Sequence, residues 1–253
     1  MAFDLLYLVL FTIGLLCLYE VLRRYKYAVV FFYLILPVLL LSVWRNSGID
    51  SPFEWIKLFT ITFAVLWVSL CRYTKLNQQL FARFITASLV AVNIFEAVVQ
   101  DASSLKLSGI LNAAAGLLCI LTLSQWQKID TDKSKIRDMT WPSMTLFWIF
   151  AYTIWNWVFT YLNFPEHAAY GISVLSVSII PSLWKKSAWL QARSFTLAAY
   201  YMYLFTFTRF IDAHAILLPQ NEALKLVASV VSFMFCFAQA FSFLRHRWMR
   251  AAT

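Results

Sequence analysis

Apolar residues run almost unbroken through this chain, and polar ones gather in short clusters between the runs. A stretch such as Leu5 to Leu18 shows no strand-like alternation and no single polar face of an amphipathic surface helix. Nine runs approach the roughly 20 residues a helix needs to cross a hydrocarbon core. They are Phe3–Leu22, Tyr27–Trp44, Trp55–Cys71, Phe84–Gln100, Ser108–Trp126, Trp141–Asn163, Ala168–Trp184, Ala192–Ile211 and Ala223–Leu244. In lipid a lone segment must pair every backbone N–H and C=O internally, which only a helix does. The pattern therefore predicts an all-α, polytopic transmembrane helix bundle of about nine spans. A β-barrel would need alternating segments of about ten residues. The connections are short, so residues 1–253 are expected to form a single transmembrane domain with no separate soluble domain.

Composition narrows the class further. The chain is 62% hydrophobic and 13% charged, with a mean hydropathy of +0.70, whereas a soluble domain is about a quarter charged. This excludes a soluble globular domain, a disordered chain and a nucleic-acid-binding domain. The net charge of +9 does not point to nucleic acid, because the basic residues sit between apolar runs. Of the 21 Lys and Arg residues, 16 fall in alternate connections. Cytoplasmic connections carry that excess, which puts the N-terminus outside and the C-terminus in the cytoplasm. Trp44, Trp55, Trp126, Trp141, Trp184, Trp189 and Trp248 mark predicted helix ends, as an interfacial aromatic belt requires. The start, Met-Ala-Phe-Asp, lacks a basic n-region, so the first run is expected to persist as a span. Compactness and short loops favour a bacterial cytoplasmic (inner) membrane. The four cysteines are scattered without a CxxC and read as buried small residues. The longest connection, Gln127–Thr140, holds seven charged residues and reads as a solvated cytoplasmic loop.

Candidate chemistry lies in polar residues at membrane depth, where each is costly. In the fourth segment Asn93, Glu96 and Gln100 recur at i, i+3 and i+7, within about 60° of one another on a helix. Asp101 follows. These four form a candidate coupling or ion-binding group. Glu96 is the only acidic residue more than a turn inside a predicted span, and no basic residue shares its face. A carboxylate there is protonated, paired or lining water. It reads either as a proton- or cation-carrying acid or as neutral glue between helices. In the sixth segment Thr153, Asn156, Thr160 and Asn163 form a matching stripe set among aromatics, suited to a polar uncharged solute, a partly hydrated ion or helix packing. In the ninth, Ser229, Ser232, Cys236 and Gln239 read as a packing seam. So do Gly109, Asn112, Gly116 and Cys119 in the fifth. Pro37 and Pro181 predict kinks. Toward the outer side lie Glu166, His167, Arg209, Asp212 and His214, read either as one vestibule rim or as separate wetted helix ends. Arg209 and Asp212 stand at i, i+3 and are expected to pair.

Several chemistries are excluded. No predicted span carries a central lysine for retinal, no P-loop or H-E-x-x-H occurs, and no two of the three histidines share a helix face. No metal site and no cofactor is implied. The first functional expectation is a transporter or channel for a small polar solute or ion, proton-coupled through Glu96. The second is a membrane-embedded enzyme with an outer-leaflet site using Glu96, Asp101, Asp212 or His167 as acid or base. The third is a non-catalytic subunit. Expected partners are the lipid bilayer, that solute or ion, and a second copy or a partner membrane subunit.

Overall fold

The computed structural model describes residues 2–184 and 186–251. It contains α1 (Ala2–Arg24), α2 (Lys26–Arg45), α3 (Pro52–Tyr73), α4 (Leu80–Ser103) and α5 (Leu107–Leu121). A minimal antiparallel hairpin follows, β1 (Asp130–Thr131) with β2 (Met139–Thr140), pairing Asp130 with Thr140 and Thr131 with Met139. Then come α6 (Leu146–Asn163), α7 (Ala168–Trp184), α8 (Trp189–Thr206), a six-residue helix at Thr208–Ala213, and α9 (Glu222–Ala251). The all-helical class holds, and α1, α2, α3, α4, α7 and α9 are each long and apolar enough to cross a membrane.

Each of the nine predicted segments contains a helix, but several ends move, the ninth running on to Ala251 rather than Leu244 and three others shifting for local reasons. The fifth segment stops at Leu121 rather than Trp126, because Thr122 leaves helical geometry and Gln125 adopts a left-handed backbone with φ 52°. At 15 residues α5 is short for a bilayer core of about 20. The sixth begins at Leu146, not Trp141, where the Thr145 hydroxyl accepts from the Trp148 N–H at 3.1 Å and caps the helix. The eighth breaks at Phe207 (φ −124°, ψ 33°). Elsewhere the expected punctuation operates. Ser51 caps α3 with Pro52 in its first turn, and Pro37 follows a π-helical turn, Phe31–Ile35, that absorbs its missing donor.

Burial separates two kinds of helix. α8 is buried on nearly every side, from Trp189 to Phe205, and packs on α7, α3, α1 and α2. α6 packs between α9, α5 and α7. By contrast α1, α2, α3, α4 and α9 present outward apolar faces, with Leu10, Val38, Phe63, Phe95 and Phe241 all exposed. So broad an apolar surface is consistent with contact with a lipid bilayer.

The connection 127–140 departs from expectation in part: Lys133, Ser134 and Lys135 are exposed, but other residues of the loop are docked. Ile129, Asp138 and Met139 are buried. Arg23 grips Asp138 through Nε at 3.0 Å and Nη2 at 2.8 Å. Arg72, fully buried, donates to the carbonyls of Arg137, Ile136 and Arg23. Gln191 accepts from the Met139 N–H at 2.8 Å and donates to Asp138 at 3.1 Å. Arg23 and Arg72, which read as an orientation signal, here also tie the loop to the ends of α1 and α3, and Gln191 ties it to α8.

Candidate functional site

A cavity of about 50 Å³ lies among α3, α4, α6, α7 and α8. Helical periodicity builds its walls. On α8, Arg193, Leu197, Tyr200, Tyr201 and Leu204 recur at intervals of three, four or one, which keeps them on one face. On α3, Glu54 and Lys57 stand one turn apart. Asn93 comes from α4 and Asn156 with Thr160 from α6, while His167 closes the α7 side. Gly171 sits across from Thr160, where a Cβ would meet the threonine at an ordinary 3.6 Å.

The charged groups divide into a pair and a single. Lys57, 5% exposed, donates to Glu96 Oε2 at 2.8 Å and to the Asn93 carbonyl at 2.7 Å. Thr60 donates to the same carboxylate oxygen at 3.4 Å. Of the three states open to Glu96, protonated, paired or lining water, it is the paired one that is found. Its own helix face offers no cation, but α3 supplies one from a lysine the sequence placed in an outer turn. Arg193, 7% exposed, has only neutral partners among the described residues: Asn156 Oδ1 at 2.8 Å and the Tyr152 hydroxyl at 3.3 Å. Two further polar atoms in this lining lack a hydrogen-bond partner, the Tyr200 hydroxyl and His167 Nδ1, in side chains 6% and 8% exposed. Buried polar atoms are normally satisfied, so orphans converging on one cavity mark a place for an absent polar group.

The predicted site residues therefore scatter over several environments. Asn93, Asn156, Thr160 and His167 meet at the cavity, and Glu96 lies behind Lys57. Asp101 does not belong to this group. It is fully buried elsewhere, accepting from Asn112 at 2.7 Å and from Asn163 at 2.6 Å. Asn112 in turn accepts from the Ser232 hydroxyl at 2.7 Å, so the knot joins α4, α5, α6 and α9. Five residues separate Glu96 from Asp101, about 140° around a helix, and that rotation aims them at different neighbours. Gln100 is half-buried and, among the described residues, makes no side-chain hydrogen bond to either group. Thr153 returns its hydroxyl to the Ile149 carbonyl at 2.7 Å.

The residues expected at an outer rim divide as well. Glu166 stands 3.7 Å from His167 at the cavity side. His214 contacts Asp4 at 3.1 Å in an aromatic nest of Phe3, Tyr7 and Phe210. Arg209 and Asp212 are exposed and, among the described residues, form no ion pair, contrary to expectation. Freely hydrated side chains on a six-residue helix gain too little from pairing to hold one geometry.

Sequence reasoning missed Glu54, Lys57, Arg193, Tyr200 and Tyr201. The available signal was periodicity: Arg193 opens the stripe continued by Leu197, Tyr200, Tyr201 and Leu204. Counting Arg193 as a loop cation hid it.

Residues 1–250 match a family described as a family of unknown function (DUF5692), and the chain belongs to it. No curated protein and no solved structure matches the chain.

Proposed function

We propose that this protein is a membrane transporter or channel that moves a small polar solute or ion through the cavity between α3, α4, α6, α7 and α8. The observation that supports the reading is the unpaired charge of Arg193 beside the orphaned Tyr200 and His167 atoms, all lining one space. An isolated buried cation is expensive unless something polar or anionic visits it. The topology belongs to the same proposal: nine crossings, N-terminus outside, C-terminus cytoplasmic, in a bacterial inner membrane. Glu96 remains the coupling residue, as half of an ion pair, since a proton on Glu96 releases Lys57 from its charged partner.

A second reading rests on a groove of about 250 Å³ between α3 and α4, lined by Phe59, Phe63, Leu89 and Val92 and reaching Asn93. Phe59, Phe63 and Val92 are exposed, so the groove opens sideways toward lipid. Such lateral access suits an enzyme acting on a lipid-dissolved substrate. Accessibility of Thr160→Cys, in a background freed of the four native cysteines, separates the readings. A carrier lets an impermeant thiol reagent reach it from outside in one orientation of vesicles and from inside in the other. Reach from one side only favours the enzyme, and no reach from either side removes both.

A further inference from the structure

The cavity is electrically polarised along its length. Lys57 and Glu96 cancel, which leaves Glu54 and Arg193 as its uncompensated charges. Trp55, next to Glu54, packs its ring 4.8 Å from Phe205, whereas Arg72 near the far end of α3 lies over Phe195, so α3 and α8 run antiparallel and Glu54 stands toward the Tyr200–Leu204 end. Glu166, 3.7 Å from His167, whose ring lies 6.4 Å from that of Tyr200, adds a second carboxylate at that end. Arg193 lies seven residues before Tyr200 on α8, about 10 Å of helix rise deeper. A simple anion on the guanidinium would leave the carboxylates at the other end uncompensated. A simple cation would be held at the acidic end and repelled by the guanidinium. Both ends are satisfied together by one molecule carrying both charges.

We propose that the cavity receives a small zwitterion with separated charges, its carboxylate on the Arg193 guanidinium and its ammonium group toward Glu54. Arg193 uses Nη2 and Nε on Asn156 and Tyr152, and Nη1 has no hydrogen bond among the described residues. A planar guanidinium with a donor to spare in a dry setting binds a carboxylate strongly. The Tyr200 hydroxyl and His167 Nδ1 are unpartnered groups in the same lining. Phe159 and Phe164 supply apolar walls for the methylene chain. The depth favours charges several bonds apart over an α-amino acid.

This inference names the solute class for the transport reading and rests on it, but binding tests it apart from transport. The purified full chain in detergent is titrated, with thermal stability as readout, using glycine, 4-aminobutyrate and 6-aminohexanoate. Hexanoate and hexylammonium serve as the single-charge probes. The expected result is that 4-aminobutyrate or 6-aminohexanoate binds at least about tenfold more tightly than either single-charge probe, a gap of about 1.4 kcal/mol. Glu54→Gln, at a half-buried position, removes that preference and leaves hexanoate binding in place. Arg193→Lys keeps the charge but loses the fork, and weakens every carboxylate probe. Hexanoate binding as tightly as 6-aminohexanoate, no probe binding, or affinities unchanged in Arg193→Lys would each overturn the proposal. Binding without uptake of labelled 6-aminohexanoate into proteoliposomes would support the site and remove the transport reading. Uptake indifferent to both substitutions would do the reverse.

Discussion

Lys57 and Glu96 show how strongly context decides what a buried charge does. At 2.8 Å, with one partner 5% exposed, neither group can lose the other without leaving an uncompensated charge away from water. Removing one member of a buried pair costs about 3–5 kcal/mol, whereas replacing both by apolar residues is often close to neutral. Lys57→Met and Glu96→Leu should therefore each lower the melting temperature in detergent sharply, and the double variant should recover most of the loss. Additive losses would mean the two side chains do not act as a pair. The same test speaks to coupling. A structural pair predicts that Glu96→Gln is destabilising, because it leaves Lys57 facing only an amide and the Asn93 carbonyl.

Between elements, the small-residue stripes turn out to face one another. The seam on α5 meets the seam on α9: Ser232 donates to Asn112, Thr122 to Gln239 at 3.1 Å, and the Cys119 and Cys236 sulfurs lie 3.6 Å apart. Without a hydrophobic force between helices in lipid, close backbone approach and hydrogen bonds carry the association. Gly116 shows how tight the approach is. A Cβ there would stand 2.5 Å from Val98 Cγ2 and 2.8 Å from the Trp155 ring, whereas one at Gly14 would meet nothing within 4 Å. Gly116→Ala should cost about 1–3 kcal/mol through overpacking. Gly14→Ala, in a helix interior with open space, should be neutral or stabilising by up to about 1 kcal/mol. Paired thermal melts check both, and a silent Gly116→Ala would show that α5 and α6 lie farther apart.

For the whole molecule, the informative contrast is between helices that meet lipid and helices that meet protein. α1 and α2 bury little of their apolar length, whereas α8 is enclosed and carries Gln191, Arg193, Thr196 and two tyrosines at the cavity. A helix shielded by protein can hold polar groups that lipid would exclude. The proposed orientation predicts that a membrane-impermeant thiol reagent added outside intact cells labels Arg209→Cys, an exposed position, and misses Ser134→Cys, exposed in the hairpin loop. Both should be scored in the cysteine-free background. Labelling of both from the same side would overturn the nine-crossing arrangement.

Length and continuity of apolar runs are local properties, so the helical class, the approximate position of each helix and the seams on α5 and α9 were legible in the chain itself. So was the Glu20 ion pair with Arg23 and Arg24, because i, i+3 and i+4 neighbours are set by helix geometry alone. Which polar residues share a site was decided only by the fold. Asn93, Asn156 and Thr160 carry the same spacing signal as Thr153 and Asn163, yet one group lines the cavity while Thr153 bonds its own helix and Asn163 braces Asp101. The rotation of each helix about its axis makes that choice, and it depends on every neighbour at once. Lys57 and Arg193 were hidden for the same reason. A cation near a helix end reads as an interfacial anchor until a second helix, distant in sequence, covers it.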